Sequence, residues 1–318
     1  MGLSVTTQIG FKGGKATKRT RFGRVWKSQS EGTLRSGEFC VKAGLNYHII
    51  DSEWKWHYLM PYEVEKLVNS SKGLLTVLTF SSRHHGVLRL LDRTVNALTN
   101  RENFGLNLVA GNKAFLDWRE VRRPPKMTLV DSIKFVRRCF DGEVFIGTEG
   151  LVKTAAELAV EYNLIPFLLL DKNLEENLTI VKDIVGKRAI AVYVPYLISK
   201  NYPRLLNDVL YRLAGYILRR KWVQEELKKL GYDPMHPKIR AIGQEKRPLT
   251  SDLMTEKLSS FLKSAARVLT IYGDADAVAE RIMLLKKLGV NIVVGLPIKE
   301  NEQQILSFGD CVVRVAHS

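Results

Sequence analysis

Cysteine is scarce: Cys40, Cys139 and Cys311 are the only three in 318 residues. An odd count with no metal-like spacing argues against a disulfide framework and points to a reducing compartment. Long hydrophobic runs are absent too. No apolar stretch approaches the roughly 20 residues that a membrane span requires. The opening residues, MGLSVTTQIG, carry no apolar signal-peptide core. These absences predict a cytoplasmic protein with no membrane partner. The sequence has no Walker-type phosphate loop, no dinucleotide fingerprint and no nucleophile elbow. It also has no internal repeat, no low-complexity tract and no linker that would split the chain.

What is present is an alternation. Short β-branched runs alternate with helical patterns, the signature of parallel strand–helix units. Strands are predicted at Leu3–Phe11, Leu45–Ile50, Leu74–Phe80, Phe104–Ala110, Val144–Ile146, Ile165–Leu170, Ala189–Leu197 and Val290–Gly295. Helical periodicity fills the intervals: Gly32–Ala43, Pro61–Val68, Val87–Leu98, Leu129–Phe140, Leu151–Glu161, Leu174–Ile184, Tyr202–Leu230, Ser251–Ala265 and Ala275–Leu288. Eight such strands in series predict an α/β fold, a single (β/α)8 TIM-type barrel over residues 1–318. A doubly wound open sheet is the alternative, but it rarely needs eight strands.

Acidic residues are missing from one stretch. Lys and Arg number 49 against 33 Asp and Glu, a net charge of +16. Lys12, Lys15, Lys18, Arg19, Arg21, Arg24 and Lys27 follow one another with no acidic residue between them. Such a field attracts polyanions: phosphorylated cofactors, nucleic acid or a nucleoprotein complex. The bland reading is a generally basic surface. These residues belong to a basic insertion, 12–30, after the first strand, which in a barrel overhangs the active-site mouth.

Barrel function sits where strands end, so those junctions are the places to search. The fifth strand ends Ile146-Gly147-Thr148-Glu149-Gly150 and runs straight into a helix. Gly147 and Gly150 allow a close backbone approach to an anion. The helix N-terminus offers free N–H groups and the positive dipole end. Thr148 adds a hydroxyl and Lys153 a charge. A plain βα turn has the same glycines. The fourth strand leads into Gly111-Asn112-Lys113-Ala114-Phe115-Leu116-Asp117-Trp118, able to cover a flat ring or only to pack on the rim.

Trp54, Trp56, Tyr58 and Tyr62 follow the second strand, where they can stack a ring or pack a loop. His84-His85 lacks further ligands at metal spacing, so no metal site is expected. Arg219-Arg220-Lys221 and Lys228-Lys229 read as solvated helix faces, and Cys139 as a small buried hydrophobe.

The run Gly105-Leu106-Asn107-Leu108-Val109-Ala110-Gly111-Asn112-Lys113-Ala114, with Pro124 and Pro125 before a helix ending Asp141-Gly142-Glu143, resembles the luciferase-like flavin-dependent superfamily. Tyr272-Gly273-Asp274 leading into Ala277-Val278-Ala279-Glu280-Arg281, then Leu288-Gly289-Val290-Asn291 and Val294-Gly295-Leu296-Pro297-Ile298, extends the likeness. It covers roughly residues 100–312. Within the superfamily the chain is most similar to the deazaflavin-dependent methylene-tetrahydromethanopterin reductases.

The resemblance implies an oxidoreductase that holds coenzyme F420 or FMN at the C-terminal ends of the strands. Hydride would pass between that cofactor and a small organic substrate, with a pterin as one candidate. By position, Gly147, Thr148 and Gly150 match the cofactor-phosphate loop, and Gly111, Asn112 and Lys113 match the loop flanking the cofactor. No catalytic residue carries over.

The departures are specific. Where the reductases carry a first-strand carboxylate, the nearby residues here are Thr7 and Gln8. Asp51-Ser52 replaces a common Asp-His. The third strand ends Phe80-Ser81-Ser82-Arg83-His84-His85 instead of in a glycine-rich turn, and Glu149 places a negative charge inside the phosphate loop. There its repulsion would weaken anion binding unless Lys153 or the basic loop offsets it. The competing function is a catalytically inactive barrel whose basic surface binds nucleic acid or a nucleoprotein complex.

Overall fold

Nine parallel strands form one sheet, and eight of them close on themselves. The computed structural model describes residues 4–8, 34–51, 61–70, 73–83, 86–98, 102–111, 124–201, 213, 216–218, 220–234, 236, 239, 255–299 and 301–317. The basic insertion, Asn112, Lys113, Trp54, Trp56, Tyr58, His84 and His85 lie outside those residues.

The first strand, β1 (Ser4–Gln8), is followed by a helix over 34–42 (α1). Next come β2 (Tyr47–Asp51), α2 (Pro61–Ser70), β3 (Leu75–Ser81), α3 (Val87–Leu98), β4 (Phe104–Val109) and α4 (Pro125–Cys139). The second half runs β5 (Val144–Gly147), α5 (Val152–Glu161), β6 (Ile165–Leu169), α6 (Leu174–Val185) and β7 (Ala191–Ile198). Two helices, α7 (Lys221–Lys229) and α8 (Glu256–Leu269), lead to β8 (Ile271–Gly273) and α9 (Ala275–Lys287). The described part closes with β9 (Ile292–Pro297) and α10 (Glu302–His317).

The strands from β1 to β7 pair in sequence, and β9 lies between β7 and β1 to complete the ring. This is the eight-stranded α/β barrel that the sequence predicts. Three features differ from the expectation. The ninth strand, β8, is absent from the sequence pattern; it pairs with the upper end of β7 on the edge that β6 leaves. The β6 pairing ends at Leu169↔Tyr193, whereas β8 runs from Tyr196↔Ile271 to Ile198↔Gly273. An eight-residue strand beside a five-residue one leaves backbone groups unpaired, and β8 takes them up.

The C-terminal helix α10 is the second difference. It helps close the ring's other side, where Gln304 mimics a strand: its Nε2 donates to the Ile198 carbonyl at 2.6 Å, and its Oε1 accepts from the Ile198 N–H at 2.8 Å. The third difference is in the expected Tyr202–Leu230 helix. It is interrupted at Arg220, whose backbone is extended (φ −70°, ψ 130°) and caps α7.

Alternation along the strands separates two apolar layers. Leu78, Phe80, Leu106, Ile146, Leu168, Val192 and Val293 face the helices. Tyr47, Ile49, Val77, Phe145, Phe167, Tyr193 and Val294 fill the barrel. Inside, the rings meet edge to face: Tyr47 and Phe145 at 5.8 Å, Phe145 and Phe167 at 6.0 Å, Phe167 and Tyr193 at 6.2 Å. Tyr193 then meets Tyr216 at 6.2 Å. The described side chains therefore pack the barrel centre and leave its mouth for chemistry.

Close packing explains one glycine in particular. A Cβ on Gly309 of α10 would lie 2.3 Å from the Ala43 carbonyl oxygen, so α10 can approach the end of α1 only as glycine. None of the three cysteines is in a disulfide. Cys40 and Cys311 are buried, whereas Cys139 is only half-buried, its thiol donating to the Phe135 carbonyl at 3.3 Å. Among the described residues no helix is long and apolar enough to cross a membrane.

Candidate functional site

The turn from β5 to α5 is shaped by its own backbone. The Leu151 N–H closes on the Thr148 carbonyl at 2.8 Å, and Gly150, third in this turn, has φ +71°. An L side chain is strained there, so glycine is required. Gly147 is required for a different reason: a Cβ would fall 2.7 Å from Val109 Cγ1 on the adjacent strand. Thr148 is buried and directs both its N–H (3.1 Å) and its hydroxyl (3.4 Å) to the Phe167 carbonyl. In this arrangement it ties the turn to β6. Gly111, at the end of β4, also has positive φ (+85°) and turns the chain out of the strand.

α5 begins without a side-chain cap, unlike α8 and α9. In those helices Thr255 accepts from Leu258 N at 3.1 Å, and Asp274 accepts from Ala277 N at 2.9 Å. An uncapped helix N-terminus presents backbone donors and a positive dipole end.

Beside this turn lies an ion-pair cluster. The Arg220 guanidinium is only 5% exposed, and its Nη1 donates to Glu149 Oε1 at 2.8 Å. Its Nε is 3.9 Å from Asp171 Oδ2, and the guanidinium carbon lies 4.2 Å from the centre of the Tyr216 ring. Asp171 is held in turn by Trp222 Nε1 and by the Lys172 N–H, both at 2.7 Å. The Lys172 ammonium lies 5.0 Å from the Trp222 ring centre. Burial works against the Arg220 charge, but Tyr216, Glu149 and Asp171 outweigh it and hold its pKa above the ordinary value. Burial raises the Tyr216 phenol to about 12, so it stays protonated and donates to the Leu170 carbonyl at 3.4 Å.

One sequence expectation is corrected here. Arg220 is not on a solvated face, because Tyr216 and two acids bury it. Among the described residues Glu149 is paired with Arg220, whereas the Lys153 side chain is exposed and the basic loop lies outside those residues.

Across the mouth, the ends of β3 and β4 carry buried polar groups. Asn107 donates from Nδ2 to Thr79 Oγ1 at 3.1 Å, yet its buried Oδ1 has no partner among the described residues. The buried hydroxyls of Ser81 and Ser82 have none there either. Strand pairing puts Thr79 beside Asn107 and Ser81 beside Val109. Arg83 is buried at the same strand end, and burial lowers its pKa. Buried polar atoms without partners cost about 1–3 kcal/mol each, so a cluster of them marks a place meant for polar company. The signal is present in the sequence: three polar residues, Ser81 to Arg83, at the functional end of an apolar strand. Pattern alone reads them only as a departure from a glycine-rich turn.

The barrel is similar to solved oxidoreductases along nearly its whole length. A coenzyme F420-dependent tetrahydromethanopterin reductase from Methanopyrus kandleri superposes with a TM-score of 0.70 at 14% identity, over 99% of this chain and 100% of that one. An F420-dependent secondary alcohol dehydrogenase, bound to an F420-acetone adduct, gives 0.66 at 10% identity over 100% of both chains. An FMN-bound Baeyer-Villiger monooxygenase component from Pseudomonas putida gives 0.60 at 10% identity, over 100% of this chain and 99% of that one.

In sequence, an uncharacterized protein of Methanocaldococcus jannaschii, MJ1239, is 30% identical over 177 residues, covering 55% of this chain and 67% of its own. A family model matches residues 34–304. The chain thus shares the barrel fold of these solved proteins and belongs to DUF7388, a family of unknown function.

Proposed function

We propose that this protein is an oxidoreductase that binds coenzyme F420 or FMN across the barrel mouth and passes hydride between it and a small organic substrate, with a pterin as one candidate. The observation that carries the reading is the trio Ser81 Oγ, Ser82 Oγ and Asn107 Oδ1, buried at the mouth of this fold without partners among the described residues. The carbonyl and N–H edge of a flavin or deazaflavin ring offers such groups the hydrogen bonds they lack. Hydroxyls can donate to its carbonyls, and the amide oxygen can accept from its N–H. The residues present therefore fit the group.

In this arrangement Gly111, with Asn112 and Lys113 after it, flanks the ring. Gly147, Thr148 and Gly150 shape the turn that receives the cofactor's phosphate at the start of α5. When bound, the cofactor supplies the hydride-accepting or hydride-donating ring position. The chain's own contribution is to orient that ring and to exclude water beneath it with the packed Tyr193 and Tyr216. Neighbours that carry F420 or FMN on the same barrel support this reading.

The test is a titration of the full chain with coenzyme F420 and with FMN, repeated on Asn107→Leu. The substitution also removes the bond from Nδ2 to Thr79 Oγ1, so the unliganded fold is expected to lose about 1 kcal/mol. Cofactor affinity is expected to fall about tenfold, from one lost hydrogen bond of roughly 1.4 kcal/mol. Unchanged affinity would remove Asn107 from the site. Tight RNA binding with no binding of either cofactor would favour a docking role for Lys12, Lys15, Lys18, Arg19, Arg21, Arg24 and Lys27 instead.

A further inference from the structure

We infer that Arg220 is the receptor of an anion subsite beside the α5 N-terminus, and that Glu149 is a resident counter-charge which a ligand phosphate displaces. This deepens the cofactor reading and rests on it for the identity of the ligand, though not for the chemistry of the subsite.

The groups around Arg220 divide into fixed and movable ones. Tyr216 lies under the guanidinium, and its ring is fixed by Tyr193 and by its own bond to the Leu170 carbonyl. Asp171 is only 22% exposed and is held by Trp222 and the Lys172 N–H. Glu149 differs: its side chain is 55% exposed, and it sits in the turn whose next residue is the positive-φ Gly150. It can rotate into water at little desolvation cost.

Arg220 cannot follow it. The guanidinium is buried, and its Nε makes no hydrogen bond among the described residues. With Glu149 gone, a buried cation would keep the Tyr216 ring and, as its one carboxylate among the described residues, Asp171 at 3.9 Å, close to the uncapped start of a ten-residue helix. A phosphate meets both needs. It accepts the Arg220 N–H groups in place of the carboxylate, and it accepts the backbone N–H groups of α5 as well. The sequence therefore keeps an acid inside a phosphate loop without defeating it, because the acid holds the arginine in place until a ligand arrives.

The experiment compares the full-length wild type, Glu149→Gln and Arg220→Gln at fixed ionic strength. The probes are inorganic phosphate, coenzyme F420, FMN and riboflavin, the last differing from FMN only in lacking the phosphate. Binding is read by calorimetry and by the rise in melting temperature. The expected result is that Glu149→Gln binds phosphate about tenfold more tightly than wild type and widens the preference for FMN over riboflavin by a similar factor. Arg220→Gln abolishes that preference. If Arg220→Gln does not fold, the Glu149→Gln comparison decides alone, since that side chain is more than half exposed.

Unchanged or weaker phosphate binding in Glu149→Gln overturns the proposal. So does equal binding of FMN and riboflavin by both folded proteins, an outcome that leaves the cofactor reading standing. Phosphate binding that responds to Glu149→Gln while neither flavin nor F420 binds supports the subsite and removes the cofactor reading instead.

Discussion

Between pH 6.5 and about 4 the protein is expected to lose about 3 kcal/mol of stability through a single buried histidine, His48, at 1.36 kcal/mol per pKa unit. His48 lies on β2 and is 1% exposed, with Nε2 2.8 Å from Ser36 Oγ of α1. Its Nδ1 has no partner among the described residues, so burial is unrelieved and lowers the pKa from 6.5 to about 4. The folded state then binds fewer protons than the unfolded state within that window. The contribution is complete above pH 6.5 and is lost as the pH falls through the folded pKa. Glu143 acts in the opposite sense, because burial raises its carboxyl pKa and the bond from Tyr47 only partly restores it. The difference between wild type and His48→Gln isolates the histidine. Urea unfolding at several pH values should give a variant whose stability falls much less across this range. Parallel pH profiles would contradict the assignment.

Phe145→Ala is expected to destabilise the barrel by about 3–5 kcal/mol, the range for a fully buried aromatic truncated in a core that cannot collapse. Phe145 is 0% exposed and touches rings on both sides, Tyr47 at 5.8 Å and Phe167 at 6.0 Å. Each neighbour stands on a different strand, so no local shift closes the gap. Tyr62→Ala, at a side chain 69% exposed on α2, should lie within about 0.5 kcal/mol of wild type. Denaturant midpoints for the two variants check both claims, and a small Phe145 effect would mean the interior is not packed as described.

The eight barrel strands are legible in the sequence because each is a short run of β-branched or apolar residues, and strands such as Ile165–Leu169 are too apolar to be anything exposed. β8 is not, since Ile271-Tyr272-Gly273 is three residues long and joins two helices with no alternation to read. The glycine turn after β5 is visible as a pattern, but its partner is not. Arg220 stands between Arg219 and Lys221, which locally reads as a solvated basic face. What buries it is Tyr216 beneath it and two acids, Glu149 and Asp171, that lie 71 and 49 positions earlier and meet it only when β5 and β6 become neighbours. Local sequence carries hydrophobic period well. It does not carry which loops the barrel brings together.

The most direct measurement is the visible absorption spectrum of the protein purified from its native source, followed by release and identification of any chromophore. The account predicts a bound deazaflavin or flavin that co-purifies with the chain, and one that the emptied protein takes up again on titration. A colourless protein that binds neither coenzyme F420 nor FMN when each is added would contradict it, leaving the eight-stranded barrel as a scaffold put to another use.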